Sequence, residues 1–159
     1  MGEPVLVRFD TRRECEQQWR AVLGRARTRL DMFDPDFTPF PLGSTEVDAQ
    51  LRAFLHGGGS LRLALHAPAH LERNAPRFLR LLRDYSHLVE CRQTPRALRQ
   101  LTDSFCIADG LHVLRRFHSD HMRGEAAFDA PDSVDLPAHR FAAIWEEARP
   151  ALAPSVTGL

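Results

Sequence analysis

Hydrophobic positions in this chain recur with two periods, and the alternation between them sets out the fold. Val5-Leu6-Val7-Arg8-Phe9 reads as a strand. Trp19, Val22, Leu23 and Ala26 then follow at helical spacing and form one apolar face. Thr11, with Glu14 three residues on, makes a capping box, so this helix is predicted to start near Thr11. Leu30 to Phe33 is a second strand. Val47, Leu51, Phe54 and Leu55 give a second helix face, opened by Thr45 with Asp48 and stopped by Gly57-Gly58-Gly59. Leu61, Leu63 and Leu65 alternate with Arg62 and Ala64, the period of a strand. A third helix is predicted from Asn74, with Pro76 in its first turn and Phe78, Leu79, Leu81 and Leu82 turned inward.

Val89 to Arg92 is a short strand, and Pro95 to Leu101 a helical turn. Two apolar runs, Phe105 to Ala108 and His112 to Leu114, flank Asp109-Gly110, which is a hairpin signal. Glu125 to Phe128 is the last strand, residues 129–137 read as loop, and Ala138 to Arg149 as a closing helix with Phe141, Ile144 and Trp145 facing in. Residues 34–44, with three prolines, two aspartates and Gly43, form another loop. The expected fold class is α/β, a mixed and mostly parallel sheet flanked by helices on both faces. One domain is expected over 1–149, with a flexible tail over 150–159.

At 159 residues, 43% hydrophobic and 26% charged, the chain can bury one core. Twenty-one basic residues balance twenty-one acidic ones, which excludes a uniformly basic nucleic-acid binder and an acidic disordered tail. Every basic residue is arginine, as GC-rich codon usage produces. Schiff-base, P-loop and Ser-Lys chemistries, which need a lysine, therefore have no residue to run on. The charge is uneven: over residues 61–100 eight arginines face three acidic residues. Such a block attracts an anion or a nucleic-acid backbone, or neutralises an acidic surface on the same protein or its mate. Arg73, Arg77 and Arg80 form a stripe whose plain reading is a solvated face with its stems packed flat.

Three motifs in order carry a resemblance: LRAFLHGGGSLRLAL at 51–65, SFCIADGLHVLRRF at 104–117 and HRFAAIWEEA at 139–148. A helix, Gly turn and strand, then an Asp-Gly hairpin, then a closing Phe-x3-Trp helix resemble one half of the phospholipase D superfamily. The likeness is strongest to its single-domain bacterial nucleases and covers roughly residues 5–149. That resemblance implies a phospholipase D-like half-domain that works as a homodimer, with two half-sites facing each other. The family's H-x-K-x4-D strand supplies a His nucleophile and a Lys that neutralises phosphate. Counting back from Asp109, the Lys position is Ser104 and the His position Thr102. Only the aspartate remains, so the resemblance implies the fold and argues against the activity.

The family's Gly-Ser-x-Asn element corresponds to the stretch around Arg115, Arg116 and His118, with His121 and Arg123 following. An anionic ligand, a nucleic-acid backbone or a phosphorylated small molecule is expected to meet Arg115, Arg116, His118 and Arg123 above a floor of Thr102 and Ser104. Asp109 and Gly110 are expected to be structural. Three alternatives stay open. The arginines 115, 116 and 123 pair with Asp120, Glu125 and Asp109 inside a dead site; or a phosphodiesterase or nuclease has been rebuilt around His118 or His121; or the domain is a scaffold that only dimerises or docks a partner.

Other chemistries fit less well. His66 and His70 are separated by Pro68, and His118 and His121 lack zinc spacing, so no metal and no cofactor is expected. Asp34-Pro35-Asp36 has the look of turn-forming residues, with acid/base carboxylates as the alternative. Residues 121–126 approach an acetyl-CoA loop but lead into Phe128-Asp129-Ala130-Pro131 rather than a helix. Degenerate domains of this resemblance can accompany an acetyltransferase domain, which makes one a candidate partner. Cys15, Cys91 and Cys106 read as buried reduced thiols. With no export signal and no apolar run long enough for a membrane span, a cytoplasmic location is expected.

Overall fold

A computed structural model describes residues 2–152. Its strands are β1 (Val5–Phe9), β2 (Arg29–Phe33), β3 (Ser60–Leu65), β4 (Val89–Gln93), β5 (Ser104–Ala108), β6 (His112–Arg116), β7 (Gly124–Phe128) and β8 (Arg149–Pro150). Its helices are α1 (Arg12–Arg25), α2 (Thr45–His56), α3 (Ala69–Asn74), α4 (Pro76–Asp84) and α5 (Pro131–Glu147), with a 3-10 turn over Arg96–Leu98. The strands form one sheet in the order β1-β7-β6-β5-β2-β3-β4-β8.

The sheet is mixed, but its parallel junctions are confined to β2–β3–β4, and the other five are antiparallel. The expectation of a mostly parallel sheet is corrected in this respect. The reason is that β1 does not pair with β2; the meander β5–β6–β7 sits between them. Helices cover both faces. Cys15, Trp19, Val22 and Leu23 of α1 pack with Val47, Leu51 and Leu55 of α2 and Phe78, Leu81 and Leu82 of α4 on one side. Val134, Phe141, Ile144 and Trp145 of α5 pack against Phe33, Phe105, Ile107 and Val113 on the other.

Helix boundaries follow local chemistry. Thr11 accepts from the Glu14 amide at 3.1 Å and so caps the helix as expected, while Glu14 reaches back to accept from the Asp10 amide at 3.2 Å, one residue before the cap. The second helix is capped one residue earlier than expected, because Ser44 accepts from the Val47 amide at 3.2 Å and Thr45 is already helical. Asn74 ends α3 instead of opening a helix. Ala75, held out of the helical region ahead of proline at φ −129° and ψ 58°, separates it from Pro76 at the start of α4. The expected loop at 129–137 is mostly helix. Pro131 occupies the first helical position, where no amide hydrogen is needed, and α5 runs through Pro137. Arg149 and Pro150 form β8 beside β4, so the tail expected from residue 150 begins in a paired strand; residues 153–159 lie outside the described residues. Among the described residues, no helix is long and apolar enough to cross a membrane.

Candidate functional site

The Asp109-Gly110 turn has both residues at positive φ, 58° and 69°, the geometry of a two-residue hairpin. The Asp109 carboxylate accepts from the amides of Arg27 and Thr28 at 2.8 Å and of Arg29 at 2.9 Å, and from the Thr28 hydroxyl at 2.9 Å. Partial burial pushes its pKa up, but the three amides and the hydroxyl outweigh it and hold the carboxyl below its ordinary value. Asp109 thus ties the hairpin to the start of β2, at the far end of β5 from Ser104.

At the opposite end of the sheet β2 delivers Asp34, β5 opens with Ser104 and β6 closes with Arg116. These three meet beneath the surface. Asp34 and Ser104 are fully buried, and Arg116 is 4% exposed. Ser104 donates to Asp34 Oδ1, and Arg116 Nη2 donates to the same oxygen at 3.2 Å. Arg116 also reaches Ser104 Oγ from Nε and Nη2 at 3.4 Å, and the Ser119 carbonyl from Nη1 at 3.5 Å. The other oxygen of Asp34 accepts from the amides of Asp36 at 3.0 Å and Phe37 at 2.6 Å. Asp34 is therefore a turn former on one side and an ion-pair partner on the other. Burial raises its pKa, against the opposing pull of Ser104, the amides and Arg116.

Arg115 points to the other face of β6, as strand alternation requires. It is exposed, with its guanidinium 5.5 Å from the centre of the Phe117 ring. The two arginines expected to act together are thus separated by the sheet. Thr102 is half-buried in the segment leading into β5. That segment is fixed by His66, whose Nε2 bonds the Leu101 carbonyl at 2.7 Å, and by Asp103, which receives the Arg140 guanidinium. The pairing of Arg115, Arg116 and Arg123 with Asp120, Glu125 and Asp109 does not form: Glu125 pairs with Arg8 at 3.6 Å and Arg116 with Asp34.

The turn between β6 and β7 is closed by the Phe117 amide on the Arg123 carbonyl at 3.0 Å. Its two histidines are oriented from within. His118 Nδ1 accepts from the Asp120 amide at 3.0 Å, and His121 Nδ1 accepts from the Arg123 amide at 3.2 Å. A nitrogen that accepts carries no proton, so in each neutral ring the proton sits on Nε2. The approach of Asp120 Oδ2 to His118 Nδ1 at 3.4 Å is therefore not an ion pair in this form. The rings lie 6.0 Å apart and present N–H donors, while the lone pairs a nucleophile or base needs are already engaged.

Sequence reasoning weighed Asp34 as a turn former or an acid/base carboxylate but missed its pairing with Arg116, because nothing local links it to a partner 82 positions away. It also missed Phe117, a large apolar side chain left 43% exposed beside the turn. That residue follows directly on β6, two positions after the outward-facing Arg115.

Solved structures share this architecture. The phospholipase D family member Nuc from Salmonella typhimurium matches with a TM-score of 0.66 at 14% identity, over 94% of this chain and 99% of that one. NucT from Helicobacter pylori matches with 0.68 at 10% identity, over 94% and 100%. TrmBL2, an archaeal chromatin protein described with a novel mode of DNA binding, matches with 0.69 at 14% identity, over 92% of this chain and 54% of its own. The chain thus spans about half the length of TrmBL2. No curated protein matches the sequence. The fold is phospholipase D-like, and with its model matching residues 11–153, the family to which the chain belongs is the domain of unknown function DUF7931.

Proposed function

We propose that this chain is a non-catalytic phospholipase D-like domain that binds a phosphate-containing ligand at the turn between β6 and β7. Arg115, His118 and Arg123 are the contacts; Arg116 and Ser104 are the buried base on which the turn rests, with Thr102 beside it. The observation that carries this reading is the engagement of Ser104, His118 and His121 by other groups of the protein. Ser104, at the family's lysine position, is sealed under an Asp34–Arg116 pair. Both histidines of the turn offer N–H donors. Donors and permanent cations with no activated nucleophile make a binding site for an oxyanion. The fold likeness to Nuc and to the DNA-binding TrmBL2 supports a phosphate-bearing ligand class, nucleic acid included. As a single half-domain it works in this reading as a homodimer, two turns facing one ligand.

Calorimetric titration with inorganic phosphate tests the binding. The expected result is saturable binding that weakens with added salt and is lost in Arg123→Ala and in His118→Ala. Phosphate affinity unchanged in both variants would rule this site out. A mass measurement by light scattering tests the dimer, with a monomeric mass at micromolar concentration contradicting it.

A further inference from the structure

Beside the turn lies a cavity of about 450 Å³ that shares Arg123 with the phosphate contacts. Its floor is Phe9 of β1 against Gly124 of β7. The packing is tight: a Cβ at Gly124 would stand 2.5 Å from the Phe9 ring and 2.1 Å from the Arg115 carbonyl. Phe117 forms part of the lining, and its ring already carries one flat cation, the Arg115 guanidinium. Arg123 also lines the cavity and, unlike Arg8, has no carboxylate within ion-pair distance among the described residues. Three carboxylates complete the lining as acceptors: Glu125, paired with Arg8, Glu14, one oxygen of which holds the Asp10 amide, and Asp10.

A bare phosphate has no use for an exposed aromatic ring or for carboxylates. A flat ring with N–H donors uses both: aromatic side chains stack nucleobases, and carboxylates accept from exocyclic amines. The volume is within the range of small-ligand sites. We infer that this cavity takes a nucleobase bearing an exocyclic amine, stacked at Phe117 and hydrogen-bonded to Asp10 or Glu14, while its phosphate lies at Arg123 and the histidine N–H groups. This rests on the phosphate-binding reading of the turn and adds the base to it. The nucleotide is either free or a splayed residue of a single strand.

The test is calorimetry on the full chain with inorganic phosphate, CMP, UMP and a short single-stranded oligocytidylate. CMP and UMP differ along one edge, a 4-amine beside a bare N3 in cytosine against a 4-carbonyl beside an N3–H in uracil, so the pair shows which donor pattern the carboxylates accept. CMP is expected to bind about tenfold or more tighter than phosphate, and several-fold tighter than UMP. Phe117→Ala, at an exposed position, is expected to bring CMP down to the affinity that phosphate shows in the same variant. Asp10→Asn with Glu14→Gln is expected to abolish the preference for CMP over UMP. Should the oligonucleotide bind tighter per chain than CMP with the same dependence on Phe117, a nucleic acid is the source; equal affinity identifies free nucleotide. Equal binding of CMP and phosphate, or a CMP advantage that survives Phe117→Ala, overturns the inference while leaving phosphate binding standing. Failure of phosphate and every nucleotide to bind overturns both.

Discussion

Arg116 Nη2 lies 3.2 Å from Asp34 Oδ1, a contact between residues 82 positions apart that joins the end of β6 to the end of β2 under the β6–β7 turn. Both partners are buried, so each depends on the other. Arg116→Ala leaves a buried carboxylate without its cation and is expected to cost about 3–5 kcal/mol of stability. Arg116→Met combined with Asp34→Asn removes both charges and is expected to cost less than the sum of the two single changes. Urea unfolding of the parent, the three single variants and the double variant checks this; additive losses would mean the pair does not act as a unit.

Gly124 shows how closely the floor of the adjacent cavity is packed. Gly124→Ala drives a methyl group into backbone at Arg115 and into the Phe9 ring, and is expected to destabilise by about 1–3 kcal/mol or more. Thermal unfolding reads the effect. Full stability in the variant would show that β1 and β7 are not apposed as described.

Asp109 gives a pH dependence with a definite sign. Its folded pKa lies below the ordinary carboxylate value of 3.8, so the folded state binds its proton less readily than the unfolded chain. The stability it contributes is present above that ordinary value and is lost as pH falls through the lower folded one. Asp109→Asn keeps a side chain that tolerates the left-handed φ of 58° but carries no charge. Its acid-unfolding limb is expected to be shallower than that of the parent, as followed by urea midpoints between about pH 5 and 2. An unchanged limb contradicts the role assigned to Asp109.

The three cysteines are free and buried, and burial pushes the Cys15 thiol up to about 11 and those of Cys91 and Cys106 higher still. A thiol held protonated is a poor nucleophile. The native protein is expected to resist a disulfide reagent at pH 8 and to react at all three positions once unfolded. Fast reaction in the native state would place a thiolate at the surface.

Several local signals are legible in the sequence, and the long-range ones are not. Thr11 with Glu14, Asp109-Gly110 and the triple glycine act within a few residues, and each does in the fold what its chemistry implies. Pro131 misleads because proline both ends helices and starts them, and only the burial of Val134 and Pro137 against the sheet decides for helix. The position of β1 beside β7 depends on sheet order, which no local pattern encodes. The same holds for the site: the serine at the lysine position was visible, whereas the aspartate and arginine that bury it come from two other strands.

Cleavage of a simple phosphodiester tests the account at its centre. If the groups around the β6–β7 turn bind phosphate and do no chemistry on it, then bis(4-nitrophenyl) phosphate, incubated with the parent protein and with His118→Ala, His121→Ala and Thr102→Ala, releases 4-nitrophenol in all four at the rate of buffer alone. Turnover above buffer that disappears in either histidine variant would contradict the account, since it requires a free imidazole lone pair where the structure has both engaged by backbone amides.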